Sequence, residues 1–260
     1  MLRTLFSIAA LGLAAQGAWA DEWSKHWNVS GKPELRISAG DAAVIVESGN
    51  ERSIDARLTT VGWAIGGAGI RVEERQMGDK VEIEVKVPPM HWSLGNHSIR
   101  LEVRVPRDLM GDLHTGDGSI TLRNLRGTLR ADTGDGSIRG EDLDGALDAH
   151  TGDGSVHVVG RFDKLQLHTQ DGSVEVEVKD GSRLDGDWRI QTGDGSVRLR
   201  IPKNLAADVE AHTGDGSIHF NLPAMTNGGK SEHNFQGKLN GGGPALVLRT
   251  GDGSITVSNL

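Results

Sequence analysis

Apolar and polar residues alternate strictly along two runs in the first half of the chain, Val81-Glu82-Ile83-Glu84-Val85-Lys86-Val87 and Ile99-Arg100-Leu101-Glu102-Val103-Arg104-Val105. Successive side chains on a strand point to opposite faces, so this period predicts half-buried strands with charges on the solvent side. Shorter apolar or alternating runs, Leu35-Arg36-Ile37, Val44-Ile45-Val46 and Ile54-Asp55-Ala56-Arg57-Leu58, are split by Gly, Asn and Ser and predict more strands. Residues 62–69, with Trp63, and 88–96, with His91 and Trp92, read as the long loops of this half. Pro106 ends the strand at Val105.

From residue 115 a longer period takes over. Thr115-Gly116-Asp117-Gly118-Ser119 returns from Thr133, Thr151, Thr169, Thr192, Thr213 and Thr250, and of the seven copies only the fourth departs, with Gln170 for the first Gly. The first four copies lie 18 residues apart and the later gaps are 23, 21 and 37, as in a repeat with loops inserted around residues 180–187 and 223–243. At a spacing of 18, Leu129, Leu147 and Leu165 fall together, as do Ala131, Ala149 and Leu167, and Ile120, Ile138, Val156 and Val174. Each unit is therefore strand, turn, strand with one face of each strand inward, stacked on its neighbours at about 4.8 Å. The fold class predicted is all-β: a single-domain β-solenoid (β-helix-like) with roughly 18-residue coils and a TGDGS turn in each repeat. Residues 21–110 form its cap and first coils, and residues 111–260 the repeats, continuous with them. Trp23 and Trp27 suit a lid over the first rung, while the last unit, ending at Leu260, leaves a rung that either the long loop before it, folded back as a lid, or a second chain could cover.

Composition and address narrow this further. Gly numbers 37 of 260 residues and aromatics are 4%, which fits a narrow interior filled by aliphatic side chains. The net charge of -8, without a Lys/Arg cluster, argues against nucleic acid. Residues 1–20 read as a signal peptide, with Arg3, an apolar run and Ala18-Trp19-Ala20 as the cleavage site, so the chain is expected in the periplasm or outside the cell. Its apolar run is too short to span a membrane. With no cysteine, stability rests on packing and backbone pairing.

The repeated Asp-Gly suits a turn with positive φ at both residues, so Asp117, Gly118, Asp135, Gly136, Asp153, Gly154, Asp171, Gly172, Asp194, Gly195, Asp215, Gly216, Asp252 and Gly253 are assigned to the turn, and the first Gly to crowding. Competing with that structural role is calcium, the cofactor considered: Asp117, Asp135, Asp153 and Asp171 stack in a column whose neighbours repel by about 0.9 kcal/mol in water. The calcium-binding nonapeptide repeat is only half matched, since Arg126 and Phe162 stand nine residues after Asp117 and Asp153. His114, His150, His168 and His212, with Asp132 at the equivalent place, form an outward row that could meet zinc, copper or protons. Neither a phosphate-cradle motif nor an acid/base pair stands apart from the repeats, so catalytic residues are not assigned.

The strand Ile99 to Pro106, the run Gly111-Asp112-Leu113-His114-Thr115-Gly116-Asp117-Gly118-Ser119-Ile120, and Gly241-Gly242-Gly243-Pro244-Ala245-Leu246-Val247-Leu248-Arg249-Thr250-Gly251-Asp252-Gly253-Ser254-Ile255 resemble the bacterial putative-adhesin family, a β-strand-repeat domain of unknown function. The resemblance covers most of the mature chain and implies an exported β-solenoid with an adhesive or envelope role. The expected function is a non-enzymatic binding or scaffold module of the cell envelope, contacting protein or glycan through its outward faces and the loops near Trp63, Trp92 and Asn227. The alternatives are a polysaccharide-active enzyme on a β-helix and a self-assembling structural protein. A calcium-bearing Asp column raises the melting temperature with calcium and lowers it with chelator; thermal melts in both that coincide remove calcium.

Overall fold

The structure, a computed structural model, describes residues 20–88, 97–222 and 225–260. Residues 1–19 of the expected signal segment, His91 and Trp92 lie outside the described residues. The described chain is all-β, with no helix. Its 21 strands begin with β1 (Ala20–Asn28), β2 (Glu34–Ser38), β3 (Ala43–Ser48), β4 (Ser53–Val61), β5 (Arg71–Met77), β6 (Lys80–Lys86) and β7 (Ser98–Val105). The repeat region gives β8 (Asp108–Thr115), β9 (Ile120–Arg123), β10 (Arg126–Thr133), β11 (Ile138–Thr151), β12 (Val156–Thr169), β13 (Val174–Val178), β14 (Trp188–Thr192) and β15 (Val197–Ile201). The chain closes with β16 (Ala207–Asp215), β17 (Ile218–Asn221), β18 (Met225–Lys230), β19 (Asn234–Leu239), β20 (Ala245–Asp252) and β21 (Ile255–Asn259).

Two parallel ladders carry the architecture. The first runs β6, β2, β8, β10, the second half of β11, that of β12, β14, β20 and β16. The second runs β7, β3, β9, the first half of β11, that of β12, β13, β15, β21 and β17. The chain passes from a strand of the first ladder to one of the second at a first corner, as between Thr115 and Ile120, and returns through a second corner, as between Arg123 and Arg126. In the repeats the pairing is offset by 18 residues, as Leu129↔Leu147 and Leu147↔Leu165 show, and the aligned Leu, Ala, Ile and Val positions are buried between the ladders. At the second corner Asn124 and Asp142, themselves 18 residues apart, both hold φ at 52°, a left-handed conformation that Asn and Asp tolerate. Where residues 179–187 swing out, the interior widens and is filled by Phe162 and Trp188, whose rings meet edge to face at 6.5 Å.

The first corner is built differently from the positive-φ turn that Asp-Gly suggests. None of the seven repeat aspartates has positive φ, and of the second glycines only Gly216 does, at 149°. The requirement is instead close stacking. A methyl on Gly136, Gly154 or Gly172 would overlap the carbonyl oxygen of Gly118, Gly136 or Gly154 in the rung before. The first Gly is crowded less, since a Cβ on Gly152 would lie 2.7 Å from the Gly134 oxygen, and Gln170 is accommodated in its place. Every motif Thr is buried, and the Oγ1 of Thr133, Thr151, Thr169, Thr192, Thr250 and Thr213 donates at 2.6–2.8 Å to the second-Gly carbonyl of the adjoining rung. An eighth corner, Ala39-Gly40-Asp41-Ala42-Ala43, lies opposite Thr115 to Ser119 and belongs to this stack. Thr115 donates to its Gly40 and Ala42 oxygens at 2.6 and 3.0 Å.

Rung order in space differs from sequence order at both ends. The β6–β7 rung lies outside the β2–β3 rung that precedes it in sequence. At the other end β20 sits between β14 and β16, and β21 between β15 and β17. The expectation of an open C-terminal edge is thereby corrected: the last repeat is an interior rung with both edges paired. Beyond it, the hairpin of β18 and β19 pairs with the outer edge of β16. At the N-terminal end β5 pairs with β6, β4 with β7, and β1 with β4, with Trp27 buried and Trp23 packed on the core.

Two substitutions separate stacking from hydrogen bonding at the corner. Gly154→Ala lowers unfolding free energy by about 3 kcal/mol through overpacking, whereas Gly229→Ala, which meets open space, changes it by less than about 0.5 kcal/mol. Thr151→Val keeps the shape but removes the donor to the Gly136 oxygen, costing about 1–3 kcal/mol. Urea unfolding of the three variants is the measurement.

Candidate functional site

Outward side chains on parallel strands in register stand one above another, and rows of them run up both ladders. Like charges at this spacing repel and opposite charges attract. On the first ladder six successive strands carry Arg75, Glu82, Arg36, Asp112, Arg130 and Asp148 in one row. On the second, His26, Asp55, Arg104, Glu47, Arg123 and Glu141 do the same. In these two rows charges that look mixed along the sequence alternate in sign from rung to rung, whereas Arg71 faces Lys86 and Glu73 faces Glu84 between β5 and β6, and Arg139 stands between Thr121 and His157. Close pairs include Arg36–Asp112 at 3.2 Å, Arg104–Glu47 at 3.0 Å and His26–Asp55 at 2.6 Å. The hydrogen bond that His26 Nδ1 donates to the Asp55 carboxylate holds the His26 pKa above its usual value. Near the second corner, burial pushes the Asp144 carboxyl up, but hydrogen bonds from Arg161 and Arg126 outweigh it and hold the pKa low.

The alternation stops where the repeat is interrupted. Across β14, β20, β16 and β19, one row reads Gln191, Arg249, His212 and Asn234, and the row beside it Arg189, Val247, Glu210 and Gln236. The hairpin of β18 and β19 adds a wall, so that this patch of sheet forms the floor of a groove of about 750 Å3. His212 Nδ1 shares a hydrogen bond with Asn234 Oδ1 at 2.8 Å, and the Asn234 amide donates to Ser231 Oγ at 3.1 Å, fixing the turn beside it. The Arg249 guanidinium and the Glu210 carboxylate are exposed and make no ion pair or side-chain hydrogen bond among the described residues. Val247 points outward by register yet is 8% exposed, giving the groove a small apolar floor. Sequence reasoning placed attention on the insertion at 223–243 but missed Glu210, Val247 and Arg249. The unbroken apolar run Leu246-Val247-Leu248, which violates strand alternation, was the available signal.

The other expected positions lie apart from this groove or on its wall. Trp63 is half-buried against the core, its ring 5.3 Å from that of His97, with its carbonyl accepting from Thr60 Oγ1 at 2.7 Å. Asn227 is in β18, its backbone opposite Gly237. Asp117, Asp135, Asp153 and Asp171 are exposed along the first corner, and Asp117 Oδ1 lies 3.6 Å from where a Cβ on Gly134 would stand. Among the described residues no three His, Cys, Asp or Glu side chains are gathered so as to hold a metal ion. The histidine row is outward as expected: His114 Nδ1 is 3.3 Å from Asp132 Oδ1, and His150 and His168 stack face to face, 4.9 Å apart and 4° from parallel.

A model of the Toastrack DUF4097 family matches residues 33–258. A putative adhesin from Parabacteroides distasonis is similar in structure at 13% identity, with 92% of this chain and 97% of that chain covered and a TM-score of 0.47. A putative adhesin from Parabacteroides merdae is 12% identical, over 92% and 96% of the two chains, with a TM-score of 0.47. A putative cell adhesion protein from Clostridium sporogenes is 12% identical, over 93% and 100%, with a TM-score of 0.46. No curated protein matches the chain.

Partial burial, reinforced by the neighbouring His150, holds the His168 pKa below its usual value. A base whose pKa is depressed by folding contributes stability above its unfolded pKa of about 6.5, and loses it as pH falls through the folded value. In an NMR titration His168 protonates below pH 6.5, and His150→Asn moves its midpoint up by removing the charged neighbour.

Proposed function

The chain belongs to the Toastrack DUF4097 family, and on that footing we propose that it is an exported, non-enzymatic β-solenoid acting as an adhesin-like binding or scaffold module of the bacterial cell envelope. The 18-residue offset between paired strands supports reading the repeats as solenoid coils with a TGDGS corner each. The secretory pattern of residues 1–20 supports export. No helix among the described residues is long and apolar enough to cross a membrane.

One observation carries the binding role. Two long rows of outward charges alternate in sign from rung to rung, whereas in the groove beside β16, β19 and β20 the Arg249 guanidinium and the Glu210 carboxylate make no ion pair or side-chain hydrogen bond among the described residues. Polar side chains held on a rigid sheet, with their hydrogen-bonding capacity unused, are preorganised for a ligand. The stack supplies stiffness, because each rung is locked to the next through backbone, Thr hydroxyls and close Gly contacts. Immobilised protein is expected to retain a component of bacterial envelope extract and to release no sugar from envelope polysaccharides. Sugar release that Glu210→Gln abolishes would establish an enzyme instead.

A further inference from the structure

We infer that the groove beside β16, β19 and β20 takes an acidic saccharide, with its carboxylate on Arg249 and its sugar ring over Val247. This rests on the binding role proposed above and names the ligand class for the same site. Arg249 is the centre of the argument. Its in-register neighbours are Gln191 on β14 and His212 on β16, so neither adjoining rung supplies the acid that Arg104 finds in Glu47 or Arg36 in Asp112. A guanidinium presents a planar fork of donors that matches a carboxylate in two parallel hydrogen bonds. An external carboxylate would give Arg249 the acid partner that Arg104 and Arg36 find in an adjoining rung.

The surroundings select a sugar. Glu210, Gln236 and Ser231 line the groove with acceptors and donors for ring hydroxyls, and Gln191 stands beside Arg249 on the adjoining strand, while Val247 between Arg189 and Glu210 offers apolar contact for a C–H face. A lipid chain would need several apolar walls, and Val247 is the one apolar side chain in the two outward rows. A peptide adding itself as a strand would need a free edge. Both edges of β16 and of β20 are paired, so that mode is closed here. Glu210 has a second consequence: it repels an acid placed over it, and so gives the ligand a direction, carboxylate toward Arg249 and hydroxyls toward Glu210.

The test titrates the full chain with trigalacturonate and with its carboxyl-reduced trimer, and with sialyllactose against lactose, following calorimetric heat and the NMR signals of the Val247 methyls. The expected result is that at least one acidic probe shifts these methyls and binds at least tenfold tighter than its neutral partner. Arg249→Gln should lose that tenfold with an unchanged melting temperature, and Glu210→Gln, which removes a like charge, should keep or raise the acid-over-neutral preference. Equal binding of acidic and neutral probes, or acid binding indifferent to Arg249→Gln, overturns the inference. If no probe binds while immobilised protein still retains an envelope component, the acidic-saccharide assignment fails and the binding role stands. If neither occurs, both fail.

Discussion

Everything in this protein hangs on the distance of closest approach between successive first corners. The second glycine of each motif packs on the carbonyl oxygen of its counterpart in the adjoining rung, leaving no room for a side chain, and the buried Thr hydroxyl bridges the same two rungs. Strand spacing alone does not demand this, since the ladders on either side carry full-sized residues. The corner does, because there the backbone turns and brings carbonyls of one rung over the α-carbons of the next. Seven copies of one motif follow from a single steric rule repeated, which is why the motif speaks for shape. The Ala39 to Ala43 corner departs from the rule, since Ala42 occupies the position of the second glycine there.

That rule also explains which parts were legible in the sequence. A contact that repeats every 18 residues leaves a period, so the rungs from β8 to β12 and their inward Leu, Ala, Ile and Val could be placed before any coordinates. The early corner was missed because Ala replaces Thr, Gly and Ser there, and the second corner because Asn124 and Asp142 mark it with only one residue each. The charge rows were illegible for a different reason. Arg36 faces Asp112, and Glu47 faces Arg104, across long and unequal separations that no local pattern encodes. The turn chemistry was misread because Asp-Gly is compatible with two causes, backbone conformation and crowding, and only geometry tells them apart.

The groove belongs to the same logic by exception. Along two rows of regular rungs, outward charges of opposite sign face one another. Where the order of the chain departs from the order in space, His212 and Arg249 hold equivalent repeat positions beside each other, as do Glu210 and Val247, and the Arg249 and Glu210 charges make no ion pair among the described residues. Shape is set by repetition and chemistry by its interruption, and both are positioned by the same stack.

The interior placement of the last repeat bears on how this protein would answer a pull. In a simple stack, tension at the chain end peels the outermost rung and then the next, each yielding at a modest force. Here the strands nearest the C-terminus, β20 and β21, are held on both sides, by β14 and β15 below and by β16 and β17 above. Tension applied there must shear two ladders together rather than unzip one, so the C-terminal end acts as a mechanical clamp.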